Sequence, residues 1–168
     1  MTTGRILFYD SSASGHHGEF LENILYGISS EVDSELFILA HPDLSSRLLD
    51  AKADSGCGTK LYFLAEAQVD AIEHSLNVRQ QGRIELDLVE QFCERHRIHL
   101  VILMHMNMYQ LELSYRFRSS EYQIRGIMLD HCTPIDRTFG LASKLQALFT
   151  GIRKRLLYRL MLCNRNVE

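Results

Sequence analysis

Residues 6–20 read ILFYDSSASGHHGEF and contain the pattern that decides the fold: an apolar run, a loop of small residues and the start of a helix. The run Ile6–Tyr9 is continuously apolar, which is typical of a strand buried on both faces. The helix predicted to begin near Glu19 carries apolar residues at helical spacing. These residues are Phe20, Leu21, Ile24, Leu25 and Ile28. The stretch therefore predicts the first β–α unit of a parallel sheet.

Four further apolar runs of strand length follow along the chain. They are Leu36–Ala40, Leu61–Leu64, Leu100–Met104 and Gly126–Leu129. A second helical stripe precedes the fourth strand and consists of Ile84, Leu88, Val89, Phe92 and His96. A weaker helix is predicted within Met108–Glu121, and a long amphipathic helix at about 141–162. Strands alternating with helices predict a three-layer, Rossmann-like α/β domain over residues 1–168, with a mostly parallel sheet of five or six strands.

Length and composition exclude several classes of protein. The 168 residues suffice for one domain, and 46% hydrophobic with 23% charged residues is ordinary for a globular protein. No apolar run approaches the roughly 18 residues of a membrane span, and no signal-peptide pattern opens the sequence. The four cysteines lie far apart, which favours reduced thiols, a cytoplasmic location and no structural metal.

Charge is distributed unevenly along the chain. Residues 1–136 hold 11 Lys and Arg against 20 Asp and Glu, whereas residues 137–168 hold 7 basic residues against one acidic residue. The acidic part would repel phosphates, so no nucleic-acid partner is expected. The basic helix at 141–162 suggests a peripheral place on anionic membrane at its inner face, or contact with a missing partner domain. Packing on the domain's own sheet remains the plainer alternative.

Ligands of open parallel sheets bind beyond the carboxyl ends of the strands, so three loops hold the candidate site residues. After the first strand, Gly15, His16, His17 and Gly18 precede a helix whose unpaired N–H groups favour an anion. The alternative is a tight connection in which the glycines only permit the turn.

The loops after the fourth and fifth strands each contain a histidine. In one, His105 is positioned to accept a proton from a substrate hydroxyl, with Asn107 holding a neighbouring hydroxyl. In the other, one of Asp130 and His131 faces the cleft, because neighbours on a strand point in opposite directions. A purely structural role for His105 stays open, and no metal or cofactor is predicted.

The segment Ser14–Phe20 and the histidine-bearing loop after the fourth strand resemble the amino-terminal half of a GT-B glycosyltransferase. The resemblance implies a Rossmann-like domain that binds the sugar acceptor and faces a second such domain that binds the nucleotide-sugar donor. It places Gly15, His16, His17 and Gly18 beside the donor phosphates. It also implies catalytic contacts from His105 and His131 and acceptor contacts from Asn107 and Asp130.

The resemblance covers nearly the whole chain but only half of such an enzyme. It therefore implies a partner half, in cis or in trans, as in the two-subunit N-acetylglucosaminyl transferase of the lipid-linked oligosaccharide pathway. The expected ligands are a nucleotide-sugar and a sugar or lipid-linked acceptor, and the lone chain is expected to be inactive. A non-catalytic Rossmann- or flavodoxin-like module that binds a phosphorylated ligand or a protein is the alternative.

Overall fold

The computed structural model describes residues 4–27, 34–106, 109–116 and 121–126. Five strands form one parallel sheet in the order β3-β2-β1-β4-β5. The strands are β1 (Gly4–Asp10), β2 (Ser34–Ala40), β3 (Lys60–Phe63), β4 (Leu100–Leu103) and β5 (Gln123–Gly126). The helices are α1 (His17–Gly27), α2 (Ser45–Ser55), α3 (Glu66–Glu73), α4 (Val78–His96) and the short α5 (Gln110–Leu113).

Helices cover both faces of the sheet and bury two separate cores. On one face, α1 and α2 pack against the strand residues Phe8 and Ile38. On the other, α3 and α4 pack against Leu7 and Leu39. The chain moves outward from β1 to β3 and then crosses back to β4, so right-handed connections place the two helix pairs on opposite faces. The predicted three-layer Rossmann-like fold is confirmed.

Two details of the predicted elements differ from the structure. Strand β5 begins three residues before the predicted run Gly126–Leu129, of which only Gly126 lies within the described residues. Along β5 buried Ile124 alternates with exposed Gln123 and Arg125, and Tyr122 just before the strand is also buried. In α1, Phe20 was expected in the buried stripe but remains 39% exposed.

Candidate functional site

A cleft of about 430 Å³ opens at the carboxyl edge of the sheet. It is lined by residues 10–14 after β1, by the turn after β2, by the facing ends of α3 and α4, and by the segment after β4. Strands β2 and β4 lie on opposite sides of β1, so the connections leaving β1 and β4 diverge there. This divergence is the usual ligand position in open α/β sheets.

Asp10 and His17 form a hydrogen-bonded pair beside this cleft. Asp10 ends β1 and is only 3% exposed, and His17 begins α1. The distance from His17 Nδ1 to Asp10 Oδ2 is 2.6 Å, and the Ser12 N–H donates to Asp10 Oδ1 at 3.0 Å. Because a carboxylate only accepts hydrogen bonds, His17 donates through Nδ1. The pair fixes both the carboxylate and the imidazole.

Local structure alone accounts for glycine at positions 15 and 18 of the loop. Gly15 adopts a left-handed φ of 68°, which allows the loop to turn back toward α1. A Cβ at Gly18 would lie 3.3 Å from Leu44 Cδ2 and 2.9 Å from Arg47 Nη1, so glycine permits the close packing of α1 on α2. The cleft is lined by residues 10–14 of this loop, before the predicted Gly15–Gly18 segment. Phosphate binding by that segment stays a prediction.

His105 lines the cleft on the other side of β1, just beyond β4. Its ring centroid lies 5.7 Å from that of His17, whose ring also stacks on exposed His16 at 5.4 Å. The His105 side chain makes no hydrogen bond with any described residue, so its ring nitrogens are available to a ligand. The structure thus brings together His17 and His105, which the sequence placed on separate loops. The other candidates, Asn107, Asp130, His131 and the helix at 141–162, lie outside the described residues.

Glu85 is a buried carboxylate that accepts hydrogen bonds from three residues lining the cleft, Ser11, Gln81 and Tyr109. Its side chain is fully buried, and its Oε2 accepts from Tyr9 at 3.0 Å, Ser11 at 2.7 Å and Tyr109 at 2.5 Å. Gln81 Nε2 donates to Oε1 at 3.0 Å. Burial and the neighbouring Glu85 carboxylate raise the pKa of Tyr9 and of Tyr109 well above the usual tyrosine value. This network ties the loop after β1 and the segment after β4 to α4.

Two further cleft residues, Asp10 and His41, are not among the candidates named from the sequence. His41 begins a turn, because its Nδ1 accepts the N–H of Asp43 at 3.1 Å, and it also lines the cleft. Each residue ends or directly follows a buried parallel strand, and that position was the available signal.

The described side chains that line the cleft include carboxylates but no lysine or arginine. Among its described lining residues are the carboxylates Asp10, Asp43 and Glu73, and none is lysine or arginine. Arg47 lies close to Gly18, but both Nε and Nη2 of its guanidinium donate to Glu22. Within the described ranges no cluster of three or more metal-ligating side chains occurs. The helices in those ranges are also too short or too polar to span a membrane.

Comparison of the chain with protein-family models, with curated proteins and with solved structures finds no match.

Proposed function

We propose that this chain is the acceptor-binding half of a glycosyltransferase that uses a nucleotide-sugar donor. The observation that carries the proposal is the grouping of Asp10, His17 and His105 at the cleft edge, above the divergence of a Rossmann-like sheet. Glycosyl transfer requires removal of a proton from the acceptor hydroxyl as its oxygen attacks the anomeric carbon. An imidazole that makes no hydrogen bond with any described residue is suited to that step.

In this proposal His105 accepts the hydroxyl proton. The Asp10 carboxylate lines the same cleft and stabilises the imidazolium that forms, while His17 holds that carboxylate in place. The Gly15–Gly18 segment and the start of α1 face the donor phosphates, as the resemblance implies.

Departure of the nucleoside diphosphate requires positive charge that the described cleft residues do not supply. We therefore assign that role to a second Rossmann-like half, in cis or in trans. A lipid-linked acceptor and contact of the 141–162 segment with anionic membrane belong to the same proposal. The carboxylates of the cleft count against the alternative of a module for phosphorylated ligands.

We expect the purified 168-residue chain to bind UDP-, GDP- and ADP-sugars weakly, if at all, and to transfer no sugar alone. Holding both reactants in position accounts for much of the rate of such a reaction, and one half positions only the acceptor. Calorimetry and a sugar-transfer assay measure this. Tight donor binding or turnover by the lone chain would contradict the assignment.

With a donor-binding half added or fused, transfer should appear, and His105→Ala should lower its rate by about 10²- to 10⁴-fold, the usual contribution of a general base. Added imidazole should restore part of that rate. The matched control is His74→Ala, because His74 is exposed at the end of α3 and contacts only the backbone carbonyl of Asp70. Equal rates in the two variants would exclude His105 as the base.

A further inference from the structure

His41 lines the cleft and carries a ring N–H without a partner among the described residues. The residue is 8% exposed, and its Nδ1 accepts the N–H of Asp43, so in this arrangement the ring hydrogen is on Nε2. The 3.7 Å approach of the Asp43 carboxylate to Nδ1 is then no ion pair, because Nδ1 has no hydrogen to share. No described residue accepts a hydrogen bond from Nε2. A ligand acceptor would complete the hydrogen bonding of the ring.

The charged side chains that line the cleft around His41 are hydrogen-bond acceptors, whereas the Nε2–H of His41 is a donor. Asp43 and Glu73 line the cleft with exposed carboxylates, and Asp10 adds a third, buried one. These groups only accept hydrogen bonds, and no described lysine or arginine lines the cleft to offset their charge. A suitable ligand must therefore donate to the carboxylates and also accept from His41.

Only one of three ligand classes meets both requirements. An anion such as a phosphate would accept from His41 but would be repelled by the carboxylates. An ammonium group would bind the carboxylates but has no lone pair for the Nε2–H of His41. A sugar hydroxyl both donates and accepts, and neighbouring hydroxyls of a sugar can serve the two partners together.

We infer that the cleft selects a hydroxyl-rich acceptor end without anionic groups, and that the Nε2–H of His41 is its specificity-determining donor. This inference rests on the proposed function, since it names the class of acceptor for the same site. Any phosphate of a lipid-linked acceptor would then lie outside the cleft, and only its neutral sugar would enter. His41 makes direct contact with the substrate and takes no part in proton transfer.

Equilibrium binding tests the inference with defined probes: glucose, lactose, maltose and cellobiose as neutral sugars, glucose 6-phosphate as an anion and methylammonium as a cation without hydroxyls. Saturation-transfer NMR on the full chain should detect at least one neutral disaccharide, and glucose should bind more tightly than glucose 6-phosphate or methylammonium. Tighter binding of either charged probe, or no binding of any neutral one, would overturn the inference.

Variants then test the role of His41. His41→Phe should weaken binding of the neutral sugar by about tenfold, the loss expected for one hydrogen bond. His41→Gln, which retains an N–H donor, should recover most of it, and the exposed control His74→Phe should not change it. Unchanged binding in a folded His41→Phe protein would overturn the role.

A double variant tests whether the exposed carboxylates exclude an anionic ligand. Asp43→Asn combined with Glu73→Gln should narrow the preference for glucose over glucose 6-phosphate, because it removes two exposed carboxylates. An unchanged preference would contradict the role of these carboxylates.

These binding experiments need no donor and no catalysis. Sugar binding without transfer in the fused protein would leave the inference standing and refute the proposed function. Transfer to a phosphorylated acceptor group within the cleft would refute the inference and leave the proposed function standing.

Discussion

Replacing Glu85 with leucine should lower the free energy of unfolding by about 3 kcal/mol, because each buried polar group left without a partner costs about 1–3 kcal/mol. The hydroxyls of Tyr9 and Tyr109 both donate to this carboxylate, and both tyrosines are buried. Ser11 and Gln81 are only half-buried and can turn to water. Urea unfolding of the purified chain measures the change.

The control for this prediction is Glu94→Leu, which removes an exposed carboxylate from the same helix and should change stability by less than about 0.5 kcal/mol. A triple variant separates unpaired hydroxyls from a packing defect. Adding Tyr9→Phe and Tyr109→Phe to Glu85→Leu removes the stranded donors, so most of the lost stability should return. Equal stabilities of the Glu85→Leu and Glu94→Leu proteins would contradict the prediction.

The main strands of the fold were readable from the sequence for a simple physical reason. Strands β1, β2 and β4 lie inside a sheet covered by helices on both faces, so each contains an unbroken run of at least four apolar residues. Strand β5 instead alternates between buried and exposed residues. Ile124 is buried and Gln123 is exposed, and Tyr122 just before the strand is buried as well. A search for continuous apolar runs therefore misses the start of this strand at residues 123–125.

The site was predictable in position but not in its contacts. Strand ends meet at one edge of a parallel sheet, which is why His17 and His105 could be expected near each other. The Asp10–His17 bond depends on how the loop turns back, and no spacing rule gives that geometry.

Glu85 shows what a helical pattern cannot reveal. It lies one turn from buried Val89 on the inner side of α4, but the stripe predicted for this helix did not include it. Its partners Tyr9 and Tyr109 are 76 and 24 residues away, and only the folded chain brings them together. Neither the burial of this carboxylate nor the donors that satisfy it followed from the apolar pattern.

The same network predicts a steep loss of stability in alkali. Burial and the Glu85 carboxylate raise the pKa of Tyr9 and of Tyr109 in the folded chain, so both keep their protons above pH 10, where the unfolded chain releases them. The stabilisation is fully present below pH 10 and is lost as the pH rises toward the folded-state pKa values. Above pH 10 each phenol lowers the free energy of unfolding by about 1.4 kcal/mol per pH unit, and the two together by about 2.7 kcal/mol per pH unit.

Urea unfolding of the wild-type chain and of the Tyr9→Phe/Tyr109→Phe variant at intervals from pH 9 to 11.5 isolates this contribution, because the other tyrosines titrate equally in both proteins. The difference between the two proteins should be constant below pH 10 and change by that slope above it, whereas parallel curves throughout would show that neither hydroxyl is held protonated by the fold.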